Sequence, residues 1–297
     1  MVNKTTIEEI LITSVNAPSG ENCQPWRFVV EDNKIEIFNI PERDLSLYNF
    51  RQSGSFIAHG ALIENIRIAS SHFGYNCLIN IFPNQNNLDH ISTITLEKDN
   101  PKEEPLFPYI EERTTNRNPY EKTPLSLEQK EELKKTVTEV GGGELNFTDD
   151  PDKKKELAKF LIISDKILFE NQKIHDFLFS HIIWDKQESE KKRTGFFIKE
   201  LALPPPIEKL FKVLKDWRKV VFFNKLGFSN LAAKGNVKLY ASSGAFGAVL
   251  FVGGNKPQDF ISTGRLFQRL WLKATKMGLS IQPVTGVIFF IQRILAG

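Results

Sequence analysis

The chain has few residues of the types that bind metals or form disulfides. Its 297 residues include two Cys and five His. Cys23 and Cys77 have neither metal-ligand spacing nor the pattern of a disulfide framework, and the five His are not spaced with Cys or acidic residues as ligands are. The sequence therefore predicts no metal site and favours a reducing compartment, the cytoplasm.

Long hydrophobic runs are also absent. The longest uncharged stretch, residues 239–255, is slightly short for a membrane-spanning helix and contains several Gly and Ser residues. Glu8 and Glu9 stand where a secretory signal peptide would have its apolar core. We therefore expect a cytoplasmic protein without a signal peptide.

Charge of one sign is not strongly in excess. The net charge of +3 is too small to indicate a nucleic-acid partner. A hydrophobic content of 41% with 25% charged residues is typical of a globular protein that buries a core. Because the chain has 24 Phe and only two Met, we expect an aromatic, stiff core.

The pattern of apolar and turn residues predicts an α+β fold in two units, joined by a segment rich in Pro, Glu and Lys at residues 98–108. The first unit is predicted to contain helices at 4–16 and 60–73, a hairpin at 26–31 and 34–40, and strands at 77–82 and 92–96. The second is predicted to contain helices at 127–140, 153–171 and 260–277, and strands at 145–148, 247–253 and 279–284.

Two stretches of the chain resemble each other. Residues 60–74 and 264–278 have the same length, begin and end with Gly, and share apolar positions at Leu62/Leu266, Ile66/Leu270 and Ile68/Leu272. Each is predicted to be a helix between two strands. A duplication explains this order of elements, with halves at 1–105 and 106–297 packed in one compact body as a pseudo-dimer within one chain. We therefore expect a monomer or a weak homodimer.

A polar loop follows the first predicted helix and leads into the hairpin. Residues 17–26 read Ala-Pro-Ser-Gly-Glu-Asn-Cys-Gln-Pro-Trp. The hydroxyl, the amides and the backbone N–H groups near Pro18, Ser19, Asn22 and Gln24 suit a flat heterocycle with several hydrogen-bonding edges. From composition alone, an ordinary turn with Ser and Asn caps explains the same residues.

A second polar segment opens the second unit. Arg113 and Arg117 lie four residues apart with Thr115 between them. Two guanidinium groups and a hydroxyl could converge on one phosphate group. Taken alone, the segment is also typical of a solvated basic turn with Thr caps.

Together, the loop and the Arg-x-Thr-x-Arg segment resemble the nitroreductase family, which binds FMN, and are most similar to its large, single-chain, Acg-like branch. In that family the loop and the arginine segment meet across a dimer interface. Here each predicted half carries only one of the two motifs, so the resemblance implies one FMN site per chain. A third segment, Gln282-Pro283-Val284-Thr285-Gly286, matches the turn that borders flavin N5 in that family.

The resemblance also implies residue roles and an activity. Arg113 and Thr115 would hold the FMN phosphate and Arg117 the pyrimidine edge, while Ser19, Asn22 and their neighbours Pro18 and Gln24 would contact the ribityl chain or ring. Residues 282–286 would border N5. The implied function is electron transfer from NAD(P)H through FMN to a small electron-poor acceptor, a nitroaromatic or quinone, with no catalytic side chain. The alternative is a protein that binds or sequesters FMN with little turnover.

Two departures from the family pattern affect the expected affinity for FMN. The N-terminal helix lacks the family's arginine segment, and residue 297 ends the sequence before the further helix and strand, with a basic residue, of the branch's other members. We therefore expect fewer phosphate contacts.

A basic stretch lies inside the predicted insertion at 186–238. Residues 204–238 contain eight Lys or Arg and two acidic residues, and Ile207, Leu210, Phe211, Leu214 and Trp217 are spaced along one face of a predicted helix. Three interpretations remain open: a helix that covers the core, a lid over a pocket, and a surface that lies on an anionic membrane, as in a protein that has lost its cofactor.

Overall fold

The computed structural model describes residues 3–99, 101–251 and 253–296, and its fold is α+β as predicted. Residues 100 and 252, in the predicted linker and a predicted strand, lie outside the described residues. Among the described residues, no helix combines the length and the apolar content needed to cross a membrane.

The first half is a helix-covered antiparallel sheet. Its strands pair in the order β1-β2-β4-β3, and Ile35 and Ile37 of β2 point into the core. The predicted hairpin is confirmed, and the second helix begins earlier than predicted. The elements are α1 (Lys4–Ser14), β1 (Trp26–Glu31), β2 (Lys34–Asn39), α2 (Ser53–His72), β3 (Tyr75–Ile81) and β4 (His90–Lys98).

The second half begins with α3 (Tyr109–Glu112), α4 (Leu127–Val140) and β5 (Gly143–Thr148). Ser126 and Gln129 form a capping box at the start of α4, and Gly141, with a φ of 84°, follows its end. The chain then runs through α5 (Pro151–Leu161), α6 (Ile163–Leu168), α7 (Gln172–His181), β6 (Ile182–Ile183), α8 (Lys186–Lys192), β7 (Phe196–Phe197), α9 (Pro205–Leu214), α10 (Trp217–Lys225) and α11 (Phe228–Ala241).

The last elements return to the body of the molecule. They are β8 (Phe246–Phe251), which pairs antiparallel with β5, α12 (Pro257–Lys276) and α13 (Gly286–Leu295). The predicted strand at 279–284 is wrong, because the described residues there form only a single parallel bridge between Ile281 and Thr115.

The helices of the two similar stretches, α2 and α12, cross at their glycines. A Cβ atom on Gly60 would overlap the backbone carbonyl oxygen of Ile261, and one on Gly264 would overlap that of Ile57. These two contacts are reciprocal, since each Gly faces the residue three positions before the other. Glycine is therefore required at both positions for the helices to approach this closely.

Polar contacts across the same crossing are reciprocal as well. Gln268 donates to Asn65 at 2.8 Å, and Arg269 donates to Glu64 at 3.0 Å. In the alignment of the two stretches Glu64 corresponds to Gln268, and Asn65 to Arg269, so one pair maps onto the other when the halves are exchanged.

The basic insertion differs from its prediction. The single helix expected to place Trp217 on a face with Leu214 is broken at residues 215–216, where Asp216 caps the start of α10 by accepting from the Arg218 backbone N–H. The helix expected over 153–171 is likewise divided into α5 and α6. Instead of covering the main core, the insertion packs against the preceding residues 169–182 around a second core. This core is built from Phe169, Phe179 and Ile182 before the insertion and from Phe196, Ile198, Leu214 and Val220 within it.

Candidate functional site

The fold brings together the three polar segments singled out in the sequence. Arg113 Nη2 donates to the backbone carbonyl of Asn16, one residue before the loop 17–26, at 2.7 Å. Thr115 bridges Ile281, and the Asn116 N–H donates to the Ile281 carbonyl at 3.0 Å. The arginine segment therefore lies between the loop and the turn that begins at Gln282.

The loop has an unusual backbone. Glu21, Asn22 and Gln24 adopt φ values of 44°, 52° and 49°, a left-handed conformation that costs free energy for residues with a side chain. Ser19 Oγ accepts a hydrogen bond from the Gln24 backbone N–H at 3.0 Å, and Trp26 is buried in the main core. These contacts fix the loop against the first half, beside the half-buried Pro18.

Arg113 is a cation without an acidic partner among the described residues. Its guanidinium lies over the Trp271 ring, 4.4 Å from the centroid, and its buried Nε has no hydrogen-bond partner there. Burial lowers the pKa of Arg113 to about 10. A buried donor of this kind is costly unless a ligand satisfies it, and an anion would do so best.

Arg117 faces the insertion. Its Nη1 lies 3.4 Å from the Glu200 carbonyl and its guanidinium 5.8 Å from the Phe196 ring centroid. Burial lowers the pKa of Arg117, although the charge of Glu200 opposes this. No described carboxylate forms an ion pair with it, so its charge is also free to act on a ligand.

The loop amides already have partners in the insertion. Asn22 Nδ2 donates to the Gly195 carbonyl at 2.8 Å, and the Gly195 N–H donates back to the Asn22 carbonyl at 3.1 Å. Gln24 Nε2 donates to the Arg193 carbonyl at 2.6 Å. Segment 193–195 therefore covers this side of the loop. A cleft of about 510 Å³ opens beside it, lined by Cys23, Glu42, Arg43, Leu45, Phe177, His181, Lys192 and Thr194.

The turn at 282–286 contributes a second unsatisfied polar atom. Gln282 Oε1 is buried and has no partner among the described residues. Pro283 is half-buried, and Gly286 begins α13. A Cβ on Gly286 would lie 3.0 Å from a Tyr48 ring carbon, so the absence of a side chain there makes room for Tyr48.

Acidic groups adjoin this turn and the loop, with Asp44 buried and Glu21 and Asp165 half-buried. Burial, and then the charge of Asp44, raises the pKa of Glu21 to about 7. Burial also raises the pKa values of Asp44 and Asp165, although the hydrogen bonds that each carboxylate accepts lower them in part. The Tyr48 hydroxyl has its pKa raised by burial and by Glu21 and Asp165. These shifts favour the protonated form of each carboxyl group.

Several of these residues were not singled out in the sequence. Glu21 lies inside the motif, and its charge between uncharged polar and small residues could have drawn attention to it. Trp271 follows the apolar spacing of α12 and was indistinguishable from core. Tyr48 and segment 193–195 carry no local signal, because their positions depend on how distant parts of the chain pack.

Comparison with known proteins gave distant relatives. No family model matches the chain. It is 24% identical over 291 residues to "Uncharacterized protein MT1398" of Mycobacterium tuberculosis (strain CDC 1551 / Oshkosh), a match covering 96% of this chain and 39% of that protein.

Two shorter matches are to proteins of the same strain. The chain is 31% identical over 96 residues to "Putative NAD(P)H nitroreductase acg", which covers 32% of this chain and 28% of that protein. It is 27% identical over 92 residues to "Putative NAD(P)H nitroreductase MT3217", covering 31% and 27%. All three matches span less than half of the relative's length. The two names support the resemblance to nitroreductases.

Proposed function

We propose that this chain is an FMN-dependent oxidoreductase of the nitroreductase family, passing electrons from NAD(P)H to a nitroaromatic or quinone acceptor. Two relatives named as NAD(P)H nitroreductases support the reaction class. The observation that carries the proposal is Arg113, a half-buried cation with an unpaired Nε at the junction of the loop and the turn.

The polar atoms left without partners fit such a ligand. Arg113 Nε would donate to an anionic oxygen of FMN, with Thr115 beside it, and Arg117 would supply positive charge near the pyrimidine edge. Gln282 Oε1 would accept from a ring N–H, next to Pro283 and Gly286 at the turn that would border N5. Pro18, Ser19, Asn22 and Gln24 would line the other side.

When bound, FMN supplies the hydride and electron chemistry that the side chains lack. The residues of the chain bind and orient it, and the two arginines stabilise negative charge on the ligand. The Trp271 ring keeps water from one face of the Arg113 guanidinium, which strengthens that interaction.

We further propose that the halves at 1–105 and 106–297 form an intrachain pseudo-dimer with one site per chain. The reciprocal contacts of Gly60 and Gly264 support this, because exchange of equivalent residues is typical of a two-fold interface.

We also propose that the enzyme is cytoplasmic. The free thiols of Cys23 and Cys77 are consistent with a reducing compartment.

A second candidate function is FMN sequestration with little turnover. It is favoured by the hydrogen bonds between segment 193–195 and the amides of Asn22 and Gln24. A ligand that uses these amides must displace that segment, which would slow exchange of substrates. NADH or NADPH oxidation with a nitroaromatic acceptor distinguishes the two, since a sequestering protein binds FMN tightly and oxidises the reductant slowly.

The proposal predicts that Arg113→Ala weakens FMN binding by about 1.5–3 kcal/mol, as expected for loss of a charged hydrogen bond. Titration of FMN fluorescence measures this. Arg113→Lys keeps the charge and should lose less, while Arg218→Ala, at an exposed arginine on α10, should leave the affinity unchanged. Equal affinity of wild type and Arg113→Ala would show that the phosphate lies elsewhere.

A further inference from the structure

The outward face of α10 and α11 is both apolar and basic. Phe222 is 60% exposed, Leu226 73% and Leu231 71%, with Val221 also exposed. The exposed cations between and beside them are Arg218, Lys219, Lys225, Lys234 and Lys238. We call these nine residues the basic apolar face.

The core of the insertion does not need these apolar side chains. The opposite side of the same helices faces this core, where Val220 is fully buried and Phe223 and Phe228 pack against the cluster. The exposed side of such a helix is normally polar. A group of large apolar side chains on that side indicates contact with something outside the chain.

Most cations of this region form no ion pair with another described residue. Residues 204–238 contain eight Lys or Arg and two acidic residues. Asp216 pairs with Arg218 at 2.9 Å, and Glu208 with Lys199 at 2.6 Å. No described carboxylate forms an ion pair with the remaining cations, which are Lys209, Lys212, Lys215, Lys219, Lys225, Lys234 and Lys238.

From this charge and exposure we infer that the basic apolar face docks the protein on an anionic lipid bilayer. The apolar side chains would enter the boundary between headgroups and acyl chains, while the lysines reach anionic headgroups on flexible stems. Charge complementarity favours a lipid surface over a protein partner, because the lysines of this face are spread over two helices and are not fixed in ion-pair geometry. A broad field of anionic headgroups matches such a distribution.

Vesicle co-sedimentation of the full chain tests the inference. We expect binding to phosphatidylcholine vesicles that contain phosphatidylglycerol and no binding to phosphatidylcholine alone. Raising the salt concentration to about 0.5 M should release the protein, since salt screens the charges. Lys219→Glu/Lys225→Glu should weaken binding at least about tenfold, because it removes two attractive charges and adds two repulsive ones.

Matched variants keep the test specific. Lys153→Glu/Lys155→Glu makes the same charge change at exposed lysines of α5 and should bind nearly as wild type. Phe222→Ser/Leu226→Ser should reduce binding at unchanged charge, whereas Leu127→Ser, at an exposed leucine on α4, should not. Circular dichroism of each variant verifies folding.

Three results would overturn the inference. The first is equal binding to neutral and anionic vesicles. The second is an equal loss of vesicle binding in the α10 and α5 charge variants, which would show that binding depends on the net charge of the protein and not on this face. The third is a protein dimer that Phe222→Ser/Leu226→Ser dissociates without any vesicle binding, which would assign the face to a second copy. None of these measurements requires FMN.

Discussion

Glu21 combines two costly features in one residue. It has a left-handed backbone, and its carboxyl group is close enough to Asp44 and Tyr48 for their electrostatic interactions to shift pKa values. Strained, buried polar residues are concentrated at functional sites because the rest of the structure must compensate for them. Glu21 therefore marks the loop as more than a connection between α1 and β1.

The raised pKa of Glu21 predicts how stability depends on pH. In the unfolded chain this carboxyl has a pKa near 4.5, and burial raises it to about 7 in the folded state. The folded state thus retains a proton that the unfolded chain loses, and the free energy of unfolding falls as pH rises from about 4.5 to 7. Glu21→Gln should remove this part of the slope and be more stable than wild type at pH 8.

Urea denaturation between pH 5 and 8 measures the effect. Asp44 and Asp165 also have raised pKa values and contribute a slope of the same sign, so the slope should decrease without vanishing. Glu42→Gln changes an exposed carboxyl in the neighbouring segment and should keep the wild-type slope. A constant difference between Glu21→Gln and wild type at every pH would contradict the assignment.

Single residues of the candidate site were predictable where a motif named them. Asn22, Arg113 and Gln282 were found because the spacing of their segments matched a known pattern. The contact of Arg113 with Trp271 was not predictable. A buried aromatic residue in an amphipathic helix has the same sequence pattern whether or not a cation lies over its ring. Whether the named residues bind FMN stays a prediction.

At the scale of elements, the crossing of α2 and α12 depends on glycine. Gly264→Ala would force a Cβ into the Ile57 carbonyl, whose backbone has little room to move. Alanine favours a helix by up to about 1 kcal/mol over glycine, but separation of two packed helices costs about 1–3 kcal/mol, so the variant should be destabilised. Chemical denaturation gives the difference.

Gly235 provides the opposite case. It lies in α11, and a Cβ there would meet nothing within 4 Å. Gly235→Ala should therefore stabilise the protein by up to about 1 kcal/mol through helix propensity alone. If Gly264→Ala were stabilising as well, the close approach of the two helices would be wrong.

Helices with regular apolar spacing were predicted well, but their ends were predicted only where cap residues mark them, and their interruptions were not predicted. α4 matched its prediction because Ser126 and Gly141 mark its limits in the sequence. The break at Asp216 depends on a capping hydrogen bond that competes with a continuous apolar pattern. The segment at 279–284 has strand-like residues, but its single bridge to Thr115 is a tertiary contact that local propensity does not specify.

At the scale of the molecule, one buried carboxylate joins the two halves. Glu64 of α2 is 1% exposed and accepts from Arg265 at 3.2 Å and from Arg269 at 3.0 Å, both on α12. Arg67 binds the same carboxylate at 2.9 Å and connects it to Glu104. Burial would raise the pKa of Glu64, but the three arginines outweigh it and lower the pKa.

This network of ion pairs predicts that the halves unfold together and that acid weakens the contact between them. Because the pKa of Glu64 is lower in the folded state, the ionised carboxylate contributes to the free energy of unfolding. This contribution is fully present above the pKa of 4.5 in the unfolded chain and is lost as pH falls through the pKa of the folded state. Glu64→Gln should cost about 3 kcal/mol at pH 7 by leaving the arginines without their shared anion, and should reduce the acid dependence.

Urea unfolding followed by fluorescence and circular dichroism should show one coincident transition in wild type. Glu132→Gln, which breaks the partly exposed pair with Lys273, should change stability much less. Equal losses in the two variants, or separate transitions in wild type, would mean that Glu64 does not hold the halves together.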